Sequence, residues 1–158
     1  MDKETFSRRI LAMERTLYCI TRSMLPPDDC QDAVQSAVLR AWERLDSLRS
    51  EAAFEVWMMR ILTHECYAML RERKRSVPVG DLSEGPLAAV SDSPREYGLT
   101  EALNALRPED RLLILLHHDR GYSLYEVSRI TGIPQGLLKM RLHRARVRLR
   151  NLLEEDDR

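Results

Sequence analysis

The sequence predicts an all-α protein of two small helical domains joined by a flexible linker, the second domain a helix-turn-helix. Three observations carry this reading. Apolar residues recur at steps of three and four through most of the chain, and nowhere alternate with the period of a strand. The stretch Ser76 to Gly98 has no helical period and holds Pro78, Pro86, Pro94, Gly80, Gly85 and Gly98. From Ser123 to Leu153 a short helix, a glycine turn and a long cationic helix follow one another.

The elements can be justified in order. Phe6, Ile10, Met13, Leu17, Ile20 and Met24 line one face of a first helix that ends before Pro26. Pro27, Asp28 and Asp29 open a second, where the acids suit the positive end of the helix dipole. Its inward face is Val34, Ala37, Val38, Ala41, Trp42 and Leu45. A third helix begins near Glu51 and runs through the cationic cluster Arg71 to Arg75, with Phe54, Trp57, Met58, Ile61, Leu62 and Met69 inward. Residues 1–75 therefore form one helical domain. Residues 76–98 are too long for a connection inside a compact domain and read as a tether. Residues 99–158 form the second domain, with Leu103, Leu106 and the run Leu112 to Leu116 as its scaffold.

In that second domain Ser123 is placed to cap a helix whose apolar face is Leu124, Val127 and Ile130. Gly132 can take the left-handed conformation that stops it, and Pro134 suits the first turn of the next helix. Along that next helix Leu138, Leu142, Ala145, Leu149 and Leu152 make a single buried stripe. Lys139, Arg141, Arg144, Arg146, Arg148 and Arg150 fall outside the stripe, with no acid before Glu154. At about 100° per residue the positions opposite the stripe are Gly136, Met140, His143 and Val147, with Lys139 and Arg144 on the shoulders. Small or neutral groups between cations suit a helix lying in a DNA major groove.

Composition excludes more than it identifies. A chain of 158 residues, 44% hydrophobic, fits one domain or two small ones. Its 25 basic and 25 acidic residues cancel, but they are segregated: Lys139 to Arg150 holds only cations, and Glu154 to Asp157 only acids. Cys19, Cys30 and Cys66 lack paired spacing, so neither a disulfide framework nor a structural metal site is expected. No cofactor is expected either. There is no glycine-rich phosphate loop, nucleophile elbow or pair of metal-binding carboxylates, which leaves no catalytic residue to nominate and argues against an enzyme. The start MDKETFSRRI lacks a signal-peptide core and no segment has membrane-spanning length, so a cytoplasmic protein without membrane insertion is expected.

The chain also carries a family resemblance. Asp32, Gln35, Arg40, Ala41, Trp42, Phe54, Trp57, Arg60 and Ile61, followed by Arg71 to Arg75, resemble the N-terminal domain of extracytoplasmic-function sigma factors, the promoter-specificity subunits of bacterial RNA polymerase. Ala105 to Pro108, Gly121, Glu126, Val127 and the spacing from Lys139 to Arg146 resemble their C-terminal domain. The resemblance implies a protein that docks on core RNA polymerase, recognises and melts promoter DNA, and is restrained by an anti-sigma factor.

It also assigns roles to residues. Asp32, Gln35, Ser36 and Arg40 would meet the polymerase. Arg49, Phe54, Arg60, His64, Arg71, Arg73, Lys74 and Arg75 would meet the downstream (−10) element, and Gln135, Lys139, Met140, Arg141, His143 and Arg144 the upstream (−35) element. The chain departs from the family pattern where His64 replaces asparagine, Ala68 an aspartate, Leu137 a capping threonine and Met140 a serine. A stand-alone helix-turn-helix regulator is the alternative, but the N-terminal half shows no sensor or receiver pattern.

Overall fold

The computed structural model describes residues 1–76 and 94–156, with side chains over 1–75 and 98–155. Seven α-helices occupy these residues, and no strand occurs among them. α1 (Lys3–Met24) starts at Asp2, whose carboxylate accepts from Thr5 N–H at 2.8 Å. It stops where Leu25 turns extended ahead of Pro26. α2 (Pro27–Glu43) begins on proline with Asp28 and Asp29 in its first turn. Single 3₁₀ turns at Leu45–Ser47 and Glu51–Ala53 lead into α3 (Phe54–Ser76). Then come α4 (Pro94–Ala105), α5 (Pro108–Ile114) with a π-turn at Leu115–Asp119, α6 (Leu124–Thr131) and α7 (Gln135–Asp156).

α1, α2 and α3 pack on one another as a helical bundle, and α4, α5 and α6 all pack against α7. The two groups share one core, because α5 lies on α1 and α6 on α3. One polar residue dominates that junction. Arg111 is 1% exposed, and its guanidinium donates to Ser23 O at 2.5 Å and to Leu103 O and Asn104 O, each at 3.3 Å. These carbonyls belong to the last turns of α1 and α4, which carry the negative end of the helix dipole; Leu103 O also accepts from Leu106 N–H at 3.1 Å. Burial pulls the Arg111 pKa down to about 10, so it remains a cation at neutral pH. Further out, Tyr122 Oη donates to Glu55 Oε1 at 2.9 Å, and Arg120 donates to Thr16 Oγ1 at 3.2 Å.

Several sequence expectations change. The tether read over 76–98 lies, from 77 to 93, outside the described residues; α4 begins within it at Pro94, whose fixed φ suits a first helical turn. Trp42, expected inside, is 43% exposed, because α2 turns Val34, Ala37 and Ala41 inward and leaves the indole lying on the Phe6 ring. α3 is buried more fully than a one-sided pattern allows: Met59, Thr63 and Cys66 are covered on the face that α1 and α6 enclose. α7 begins at Gln135, one residue after Pro134, whose carbonyl accepts the first helical bond from Leu138 N–H at 2.9 Å.

Arg111→Met would leave Ser23 O buried without its donor and remove one donor each from Leu103 O and Asn104 O, at about 1–3 kcal/mol for an orphaned group. We expect a loss of about 1–3 kcal/mol of stability, read as a lower urea midpoint. Arg107→Met, which removes only the exposed pair with Asp110, should leave the midpoint nearly unchanged.

Candidate nucleic-acid interface

The α6–α7 unit is built by local hydrogen bonds that its sequence dictates. Ser123 Oγ accepts from Glu126 N–H at 3.1 Å, and Glu126 Oε1 accepts from Ser123 N–H at 3.0 Å, which together close a capping box. Gly132 ends α6 with φ +80°, a conformation that a side chain would strain, and its N–H reaches Ser128 O at 2.8 Å. Ser128 Oγ then donates to Ile133 O at 2.6 Å, while Thr131 Oγ1 accepts from Ile133 N–H at 3.3 Å. The turn is fixed on both sides, so the start of α7 is held in one direction.

On α7 the predicted stripe is inward: Leu138, Leu142 and Ala145 are buried, with Leu149 and Leu152 half-buried. Gln135, Gly136, Lys139, Met140, Arg141, His143, Arg144 and Val147 are exposed, as are Arg146, Arg148 and Arg150. None of these cations has an ion pair or side-chain hydrogen bond to a described residue. An uncompensated row of cations beside a neutral centre can neutralise phosphates while bringing other groups to base edges.

A second cationic surface lies between α2, α3 and α6. Arg49, Arg60 and His64 line a cavity of about 720 Å³ together with Arg44, Trp57 and, on the opposite wall, Tyr125 and Arg129. Burial, aided by the charges of Arg60, Arg71 and Arg44, lowers the His64 pKa below its ordinary value. The imidazole is therefore neutral at pH 7 and sits among cations that await a negative group. Phe54 does not join this surface. It is fully buried between Phe6 and Trp57, with Arg9 4.7 Å over its ring, so it serves the core and has no face left for a base.

The basic end of α3 is mixed. Arg71, Lys74 and Arg75 are exposed, but Lys74 reaches Glu109 at 3.5 Å and the half-buried Arg73 bonds Asp29 at 3.0 Å. On α2 the structure brings Asp32, Gln35 and Ser36 together on one exposed face, whereas Arg40 is engaged with Glu65 of α3. Leu39, 58% exposed, lies one helical turn beyond Gln35 and Ser36 and escaped the sequence pattern. Its signal was an apolar residue at an outward position. Arg44, Tyr125 and Arg129 escaped it too, and only folding brings α6 over α3 to reveal them.

Comparison with known proteins places this geometry. Residues 10–76 match Sigma-70 region 2, and residues 98–149 match Sigma-70, region 4. The chain is 30% identical to the RNA polymerase sigma-E factor of Streptomyces avermitilis, over 96% of this chain and 87% of that protein. It is also 30% identical to the ECF RNA polymerase sigma factor SigM of Mycobacterium tuberculosis, over 96% of this chain and 79% of the relative. Among solved structures, it superposes with a TM-score of 0.76 and 29% identity on the sigma factor RpoE in complex with the anti-sigma factor NepR from Bartonella quintana, covering 96% of this chain and 98% of that one. CnrH in complex with the cytosolic domain of CnrY shares the fold at a TM-score of 0.73 and 24% identity, covering 98% and 91%.

The low His64 pKa gives a direct readout of cleft occupancy. In the free chain its ring should titrate below the usual histidine range in a two-dimensional NMR titration. A short single-stranded oligonucleotide that places phosphate beside Arg60 should raise that pKa, and an unchanged value would exclude occupancy near His64.

Proposed function

Because the chain belongs to the extracytoplasmic-function sigma factors of RNA polymerase, we propose how its residues divide the work of directing polymerase to promoters. The carrying observation is that both regional matches occur in one chain, in order, and that the second ends on a helix of unpaired cations. A sigma factor binds core RNA polymerase and directs promoter recognition, DNA melting and initiation. In this chain the exposed α2 face of Asp32, Gln35 and Ser36, extended by Leu39, meets the polymerase. Arg40 contributes only if its bond to Glu65 is exchanged.

The cleft residues Arg49, Arg60 and His64 take the downstream element as an unstacked strand. Unstacking costs a few kcal/mol per base, and cations aimed at the backbone help offset it. Arg71 and Arg75 add phosphate contacts, whereas Arg73 must first release Asp29 and Lys74 must release Glu109. α7 reads the upstream element through Gln135, Lys139, Met140, Arg141, His143 and Arg144. The polymerase performs the chemistry, so this chain needs no catalytic group of its own. Among the described residues no helix is long and apolar enough to cross a membrane, and we place the protein in the cytoplasm with the polymerase. An anti-sigma factor is the expected restraining partner, because the superposed sigma factor RpoE was solved in complex with the anti-sigma factor NepR.

Pull-down with bacterial core RNA polymerase, followed by transcription from selected promoter DNA, tests the proposal. Stable association and promoter-specific initiation support it; DNA binding without polymerase association would return the chain to the stand-alone regulators. Charge reversal at Lys139 and Arg144 should abolish upstream-element binding and spare polymerase association, measured side by side. Neutralising a single phosphate-binding cation should flatten the slope of log affinity against log salt by about 0.9.

A further inference from the structure

We propose that Met140 reads a thymine methyl group in the upstream element, so that an apolar contact sets base preference at one promoter position. This rests on the DNA-reading role of α7 proposed above. Met140 is 52% exposed and Leu137 43% exposed, so both side chains are open to a partner. They stand one turn apart within the first two turns of α7, the part of a reading helix that approaches base edges. Gly136 lies beside them, and a Cβ placed there would meet nothing within 4 Å, so the helix presents a low, open surface at this point. Lys139, Arg141 and Arg144 flank them without described ion pairs and can fix the helix against phosphates.

Chemistry then selects the base. A thioether has no donor and only a weak acceptor, so it cannot reproduce the hydrogen bonds by which side chains read guanine, adenine or cytosine. In the major groove those three bases present polar atoms, whereas thymine adds a C5 methyl. Against guanine or cytosine the Met140 side chain would strip water from O6, N7 or N4 and return no hydrogen bond. Thymine presents O4 as well, but its C5 methyl offers an apolar surface that the thioether can bury without covering that acceptor. The unbranched, polarisable side chain can adjust to that contact without a fixed rotamer. Selection therefore has an attractive part and a repulsive part.

The test removes one methyl group from the DNA. An upstream-element duplex is selected from a random pool with the full chain and core RNA polymerase, and each thymine is then replaced by deoxyuridine in turn. With the unaltered chain, one replacement should weaken binding about fourfold, the contribution of a single buried methyl. In Met140→Ala that sensitivity should vanish while sensitivities at other positions persist. Met140 is exposed, so the variant should fold, which circular dichroism confirms before binding is measured. The inference is overturned if no deoxyuridine replacement matters, or if Met140→Ala keeps the same sensitivity. Failure to enrich any duplex would be a different result, since it would remove the reading role of α7 itself.

Discussion

The junction of this fold hangs on a buried guanidinium that bonds backbone carbonyls and makes no salt bridge among the described residues. Arg111 sits where the C-terminal ends of α1 and α4 converge and donates to three carbonyls of their last turns. Two helix dipoles point their negative ends at one cation, which compensates part of the cost of burying it. The consequence is positional. α5 carries Arg111 and lies against α1 on one side and α7 on the other, so the direction of the reading helix is set relative to the N-terminal bundle. α6, held over α3 and tied through the neighbouring Tyr122 to Glu55, supplies the second wall of the cationic cleft.

Around this neutralised centre, charge is used in two different ways. Arg40, Arg73 and Lys74 already have carboxylate partners on other helices, so their charge mainly fastens helices together. The α7 cations and Arg44, Arg49 and Arg60 have none among the described residues, so their field extends outward. A net charge of zero therefore conceals local cationic surfaces, with four acids gathered after residue 153 and others paired across helices. A polyanion meets the local surfaces, within a Debye length of about 8–10 Å, and not the sum.

Much of this was legible in the sequence, for a physical reason. The α7 stripe, the Ser123 cap and the Gly132 stop depend on residues within four positions of one another, so periodicity and capping chemistry reveal them. Arg111 was not legible. It reads as a polar interruption in an apolar run, and its burial depends on a carbonyl 88 positions away. The helical period placed Phe54 inward, as found, while the resemblance set it at the DNA; Trp42, read as inward, is the one that faces out where α1, α2 and α3 meet. The cleft was half-visible: Arg49, Arg60 and His64 were named from the N-terminal half, but the wall of Tyr125 and Arg129 exists only once α6 packs on α3.

The same separation of roles explains why α7 leaves apolar side chains in water. A reading surface made wholly of cations would bind every sequence nearly alike, because phosphates are identical along the duplex. Discrimination needs positions that gain from one base and lose against the others, and such positions must be uncovered before DNA arrives. In the proposed reading Gly136, Met140 and His143 form that centre, with Lys139 and Arg144 on either side to hold it at the groove. Burying Met140 inside the protein would stabilise the chain slightly and remove its ability to distinguish bases. A fixed turn, a rigid scaffold beneath the helix and an exposed methionine on top are thus parts of one requirement: the side chain must meet the base at a defined depth, and only a helix that cannot tilt can guarantee it.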